Sequence, residues 1–138
     1  MRAVLDTNVL VSGIFFGGVP SRILSAWAAR QFELVLSPPI LEEYQRVGEE
    51  LGRRYPGLAG HCDGILALVA THALIVSAPP LPLPVSEDAD DDMFLAAALA
   101  SATPVIVSGD HHLLAVSGWR GIAVVKPRPF LSEYLDAV

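Results

Sequence analysis

Short strand-like apolar runs alternate with helical stretches along this chain, and two of the runs end in an aspartate. Ala3-Val4-Leu5 leads into Asp6-Thr7-Asn8, and Val105-Ile106-Val107 leads into Ser108-Gly109-Asp110. Strands that alternate with helices predict a parallel sheet covered on both faces, a three-layer α/β/α arrangement. In such open sheets ligands bind beyond the carboxyl ends of the strands. A carboxylate set just past a strand is therefore held at that edge, facing the crevice. Two of them, drawn from opposite ends of the sequence, converge only if the fold gathers them. Further acids at the same place repel one another unless a shared proton or a bound cation relieves them.

The rest of the chain keeps the same rhythm. Arg2 to Leu5 reads as a first strand, and Ser21 to Gln31 as a helix capped by Ser21, with Ile23, Leu24, Trp27 and Ala28 at helical spacing. Phe16 to Pro20 reads as a turn. Phe32 to Leu36 is a short strand, after which Ser37-Pro38 opens a helix running to about Leu51. Ile65 to Leu74 reads as an apolar helix and Ser77 to Ser86 as an extended proline-rich connector. An alanine-rich helix over Asp91–Ser101, a buried strand over Pro104–Val107, and a short helix over His111–Val116 follow. A strand over Ile122–Val125 and a helix over Phe130–Asp136 complete the order. With 138 residues, no internal repeat and no linker, residues 1–138 are expected to form one domain.

Composition narrows the function. Hydrophobic residues make up 52% of the chain, enough to suggest apolar surface covered by a partner. A homodimer is expected, with the Ser21–Gln31 or Ile65–Leu74 helix in its interface. No apolar stretch reaches the ~18 residues of a membrane span, and no signal peptide opens the chain. The lone Cys62 forms no internal disulfide, so the expected location is the cytoplasm. Nine basic residues against fifteen acidic ones give a net charge of −6. A protein that relies on neutralising phosphates is usually basic. Here five of the six residues from Glu87 to Asp92 are acidic, so much of the excess is local.

Periodicity selects one acid in the helix after Ser37. At ~100° per residue, Leu41, Tyr44, Val47 and Leu51 define its buried face together with Ile40. Glu43 falls on the margin of that face, beside Val47, and Glu42 on the far side. Glu43 reads either as an inward-looking carboxylate or as an ordinary boundary residue of a wet helix. The acidic run before Met93 has two readings as well. Acids in a first helical turn are favoured by capping and by the helix dipole, which accounts for one or two of them. Five in six positions leave either a solvated loop or a cation site. Asp6 and Asp110 read equally as an Asx-turn and as a turn with an N-cap.

Taken together, four segments resemble a known family. Val4-Leu5-Asp6-Thr7-Asn8-Val9-Leu10-Val11-Ser12, Ser37 through Glu43-Tyr44, Asp88-Ala89-Asp90-Asp91, and Ile106-Val107-Ser108-Gly109-Asp110 match, in order and spacing, the motifs of PIN-domain proteins. The similarity is strongest to the branch described as toxin components of toxin–antitoxin systems, and it extends to the closing Lys126 to Leu131. The resemblance implies a Rossmann-like α/β/α domain and a metal-dependent ribonuclease, with RNA as substrate and an antitoxin protein as partner. Residue by residue, it places the acidic quartet on Asp6, Glu43, Asp91 and Asp110, with Asp88, Asp90 and Asp92 competing for the third position. Asn8 and Ser108 fall on the polar positions that support the acids, Ser108 where the family often has Thr.

Ligand chemistry agrees. Carboxylates without Cys or paired His suit Mg²⁺ or Mn²⁺ better than Zn²⁺. Asp6 and Asp91 are expected to ligate directly, and Glu43 and Asp110 directly or through water. His61-Cys62-Asp63 and His111-His112 are weaker candidates, because adjacent helical residues point ~100° apart; His111 reads as a solvent-exposed residue at a helix start. Phe16 to Pro20 lacks the lysine of a phosphate loop, and no serine sits in a nucleophile elbow. The competing functions are a metal-dependent phosphatase or DNA nuclease using the same acids, and a non-catalytic α/β binding module.

Overall fold

The computed structural model describes residues 1–135. Among the described residues five parallel strands form one sheet: β1 (Arg2–Leu5), β2 (Glu33–Leu36), β3 (Leu74–Ile75), β4 (Val105–Val107) and β5 (Ala123–Val125). Their order is β3-β2-β1-β4-β5, with Ala3 opposite Leu34, Val4 opposite Ile106 and Val107 opposite Val125. Apart from Arg2 and Glu33 at their starts, successive residues of β1, β2 and β4 are all buried, so both faces of the sheet are covered and the domain has three layers, α/β/α. The chain leaves β1 towards β2 on one side and returns to β4 on the other. That reversal creates a crevice at the carboxyl ends of β1 and β4, the usual ligand site of such sheets.

Among the described residues the main helices are α1 (Thr7–Phe15), α2 (Gly18–Ala28), α3 (Pro38–Arg54), α4 (Ala59–His72) and α5 (Asp92–Ala100). Shorter pieces follow as α6 (His111–Leu114) and α7 (Pro127–Pro129), the latter running on into a π-helical turn over Phe130–Tyr134. That turn stands where the closing helix was expected; its expected last residue, Asp136, lies outside the described residues. α5 buries Phe94, Leu95, Ala96, Ala97 and Ala98, and its alanines let it lie close against β1, β2 and β4.

One helix goes beyond the sequence expectations, and two expected elements need correction. Thr7–Phe15 is a helix, although its Val, Ile and Phe content favours strand; Thr7, Leu10, Val11, Ile14 and Phe15 are buried on several sides, and a helix apolar all round belongs in a core. Ser21 is not a cap, because α2 starts at Gly18 with Gly17 before it. Gly13 makes this tight α1–α2 pair feasible: a Cβ there would lie 2.7 Å from Leu24 Cδ1. The apolar Ile65–Leu74 stretch belongs to a longer α4 that ends at His72, and Leu74 enters an unexpected edge strand paired only with β2.

The buried face of α3 is also turned from its expected position. Ile40 and Tyr44 are buried, but so are Gly48 and Gly52, while Leu41, Val47 and Leu51 are half-buried. α4 packs against the glycines, and a Cβ on Gly48 would sit 3.0 Å from Cys62 Sγ. The Tyr44 hydroxyl donates to the carbonyl of Leu5 at 2.6 Å, locking α3 to the end of β1. That bond brings Glu43, the preceding residue, to the crevice.

Candidate metal centre

The crevice at the carboxyl ends of β1 and β4 has a volume of about 200 Å³. Asp6, Glu43, Asp91 and Asp110 all line it, with Asp88 and Asp90 at its rim and Thr7, Asn8, Val47 and Phe94 completing the wall. Each acid arrives from a different element, for a local reason. Asp6 leaves β1 with its amide still in the ladder, donating to Val107 at 3.0 Å, and N-caps α1 by accepting from the Val9 amide at 2.8 Å. Asp110 caps α6 through the His112 amide at 2.7 Å. Asp110 thus makes the turn and N-cap expected of it, whereas Asp6 accepts from the third residue on, an N-cap in place of the expected Asx-turn; both residues still reach the crevice. Capping engages one carboxylate oxygen of each; the other accepts from Ser108 in Asp6 and takes no hydrogen bond among the described residues in Asp110.

Asp91 differs. It ends a 3₁₀ turn over Ala89–Asp91 and precedes α5, yet its side chain caps nothing. Only 9% exposed, it leaves Oδ2 buried without a hydrogen-bond partner among the described residues. Asp92 behaves in the opposite way. Its two oxygens accept the amides of Val85 and Ser86 at 3.0 and 2.8 Å, pinning the end of the proline-rich connector, and it does not line the crevice. Asp88 accepts the Asp90 amide at 3.0 Å, and both residues are exposed. The run of five acids is thus divided between loop-fixing and crevice-lining members.

Glu43 is half-buried, as its marginal position on the helix predicts, whereas Glu42 faces solvent. The Thr7 hydroxyl donates to Glu43 Oε2, and Arg46 lies 3.5 Å from Oε1. Ser108 is fully buried; its hydroxyl donates to Asp6 Oδ2 and accepts the Asp110 amide at 2.9 Å. One serine thereby orients two of the acids. Asn8 lines the crevice but is exposed and, among the described residues, bonds to none of the carboxylates. Thr7 was missed in the sequence. Its signal is its place immediately after a capping Asp, in a first helical turn that faces α3.

The electrostatics record the crowding. Burial raises the pKa of Asp6, bonds from Ser108 and Val9 oppose the rise, and Asp110 and Glu43 add to it. Asp91 is pushed up to about 7, first by burial and then by Asp110, Asp88 and Asp6, with His112 pulling the other way. Tyr44 is pushed well above 10 by burial and by the nearby Asp6 and Glu43. These acids interact with one another, and a cation would relieve the repulsion.

The residues present suit a hard divalent ion. All of the crevice donors are carboxylate or hydroxyl oxygens apart from the Asn8 amide, and the orphaned Asp91 Oδ2 is a buried acceptor in need of a positive partner. Among the described residues, no three His, Cys, Asp or Glu side chains already stand in a chelating group. The acids line the crevice without closing on a point. His61 and Asp63 are exposed while Cys62 is buried under α3, so these three do not combine. His111 is exposed, and His112 Nδ1 lies 3.2 Å from Glu87.

A roomier cleft of about 820 Å³ opens at the amino edge of the sheet, lined by Arg2, Trp27, Arg30, Phe32, Glu33 and Leu68 among others. It holds none of the four acids. Among the described residues no single helix is long and apolar enough to cross a membrane.

A family model described as PIN domain matches residues 2–112, which include all four acids. No curated protein matches the chain significantly. Among solved structures, the chain is similar to one in the crystal structure of VapBC2 from Rickettsia felis bound to a DNA fragment from their promoter. The TM-score is 0.61 at 14% identity, over 91% of this chain and 98% of that one. At that identity the likeness concerns the fold.

Proposed function

We propose that this chain, which belongs to the PIN-domain family, is a divalent-metal-dependent endoribonuclease and the toxin of a toxin–antitoxin pair. PIN domains are generally nucleases that use divalent ions. The observation that carries the reading is Asp91, a buried carboxylate with an unpartnered oxygen among three other acids at the switch point of the sheet.

In this reading Asp6 and Asp91 hold Mg²⁺ or Mn²⁺ directly, and Glu43 and Asp110 hold it directly or through water. The ion, when bound, polarises a phosphoryl oxygen of RNA and lowers the pKa of an attacking water. The chain's own contribution is orientation. Ser108 fixes Asp6 and Asp110 relative to each other, and Thr7 fixes Glu43. The remaining oxygens of Glu43 and Asp110 hold the nucleophilic water, and Asn8 lies within the wall that meets substrate. Walls formed by Val47 and Phe94 keep bulk solvent from one side.

Likeness to VapBC2, a complex crystallised on DNA from its own promoter, supports a protein antitoxin as partner. An Arg or Lys from such a partner would satisfy the same carboxylates as the ion and silence the site. The protein acts in the cytoplasm as a homodimer; half-exposed Leu68 and the cleft between the ends of α2 and α4 supply the apolar surface for that contact. Sedimentation as a monomer at micromolar concentration would remove the dimer from this account.

The test of activity is direct. The isolated protein should cleave single-stranded RNA with Mn²⁺, stop in EDTA, and lose cleavage in Asp110→Asn while keeping its fold. Undiminished cleavage in EDTA or in Asp110→Asn would refute the metal mechanism. Selective hydrolysis of DNA or of small phosphate esters would replace RNA as the substrate.

A further inference from the structure

The far ends of α1 and α3 meet in an exposed aromatic cluster away from the crevice. Phe16 and Tyr55 are the residues that cap the carboxyl ends of these two helices. Phe16 is 58% exposed and Tyr55 43%. Their rings meet edge to face at 5.6 Å, and buried Phe15 backs both at 6.3 Å. Both rings thus stay largely open to water instead of joining the core. Arg53 and Arg54 stand beside them, exposed, and neither forms an ion pair among the described residues.

One side of α3 joins this cluster to the crevice. At ~100° per residue, Glu43, Arg46, Val47, Glu50, Arg53 and Arg54 fall within about a third of the helix circumference. The contacts agree with that spacing: Val47 lines the crevice, and Arg46 bridges Glu43 and Glu50 at 3.5 and 3.2 Å. Tyr55 lies about 18 Å along the axis from Glu43, and the nine residues of α1 span about 13 Å from the crevice to Phe15. A strand of a few nucleotides covers such a distance. Three of the chain's nine basic residues sit on this one side of α3, in a protein of net charge −6. The flanking nucleotides of a polyanion find cations here that the acidic crevice itself lacks.

We propose that Phe16 and Tyr55, with Arg53 and Arg54, form a stacking platform for bases of single-stranded RNA whose scissile phosphate lies in the crevice. Bases of any sequence stack on aromatic faces, and arginines beside them hold the backbone. The proposal rests on the ribonuclease reading for its substrate, and the platform fixes strand direction and minimum substrate length.

The test measures binding apart from cleavage. A fluorescein-labelled single-stranded oligoribonucleotide long enough to span both places is titrated with the full chain in EDTA, followed by anisotropy. The Phe16→Ala/Tyr55→Ala variant should bind about tenfold more weakly. Arg53→Glu/Arg54→Glu should weaken binding and flatten its salt dependence. In Mn²⁺ both should lose kcat/KM on the long strand and retain it on a dinucleotide. The arginine variant changes only exposed side chains, so it stands if the aromatic variant fails to fold. Unchanged affinity in both variants overturns the platform while leaving a wild-type nuclease intact. Binding lost in the variants of a chain that never cleaves RNA keeps the platform and removes the nuclease reading. Wild type that binds no strand, or variants that alter only the sedimentation coefficient, overturn the platform; the latter makes the face a protein interface.

Discussion

At the amino edge of the sheet a cleft of about 820 Å³ is lined by charged and aromatic side chains, while the carboxyl edge offers only about 200 Å³. Size would direct attention to the first. Charge directs it to the second. Arg2 and Glu33 at the amino edge are half-exposed and paired at 2.9 Å, so water and each other satisfy them. At the carboxyl edge Asp6 and Asp91 are 4% and 9% exposed, and their nearest charged neighbours are other acids. Burying like charges is costly, and folds retain such an arrangement where a cation or a proton completes it. Unbalanced charge, not volume, is the ground for proposing the chemistry at the carboxyl edge.

The two edges should separate most widely in kinetics. Asp6→Asn should lower kcat on RNA by more than about a hundredfold, some 2.7 kcal/mol of barrier. Arg2→Ala at the other edge should leave kcat within about twofold and cost under about 1 kcal/mol of stability, as exposed ion pairs do. Equal losses in the two variants, measured on the same RNA, would erase the distinction between the edges.

A smaller effect belongs to the hydroxyls that orient the acids. Thr7→Val and Ser108→Ala should each weaken metal affinity or activity by about 10- to 100-fold, the usual range for groups that hold ligands in place. Ser108→Ala should do more, because it releases both Asp6 and Asp110 whereas Thr7 holds only Glu43. Calorimetric Mn²⁺ titration of the two variants ranks them, and an unaltered affinity in Ser108→Ala would show that the acids orient themselves.

The smallest effect is on metal-free stability. Folded Asp91 keeps its proton up to about pH 7, while an unfolded Asp releases it near 3.8. Between those values the folded state binds more protons, so this carboxyl subtracts from stability as pH rises from about 4 to 7, and fully above 7. In EDTA, Asp91→Asn should therefore melt higher than wild type at pH 8, with the advantage gone near pH 4. A wild type more stable than Asp91→Asn at pH 8 without metal would contradict the crowding of acids.

The two edges also differ in how much of them was legible in the sequence. Asp6 and Asp110 were readable because each follows a short run of buried β-branched and aliphatic residues, and strand ends locate a crevice. Helical phase put Glu43 at the margin of the buried face but left it an ordinary boundary residue as readily as an inward one, and the family resemblance chose between the two. Thr7 was not readable, because Thr7–Phe15 carries strand-like composition and becomes helical only through burial on several sides. The α3 face was misplaced by glycine: hydropathy assigns Gly48 no side, yet close packing of α4 puts it inside. The strand Leu74–Ile75 has two residues, too few for any periodicity, and exists because β2 offers it an edge. The family match over residues 2–112 agrees with the resemblance of the four motifs, and the sheet order explains why those motifs meet.

If the acidic crevice gathers a divalent cation, the metal-free protein binds Mn²⁺. By calorimetry, wild type should bind Mn²⁺ with an affinity that falls as pH drops below about 7, because Asp91 must lose its proton to bind. The bound ion should raise the melting temperature through linkage, and Asp6→Asn should blunt both effects. Mn²⁺ binding of equal strength in wild type and Asp6→Asn, or no binding by wild type at pH 8, would contradict the account.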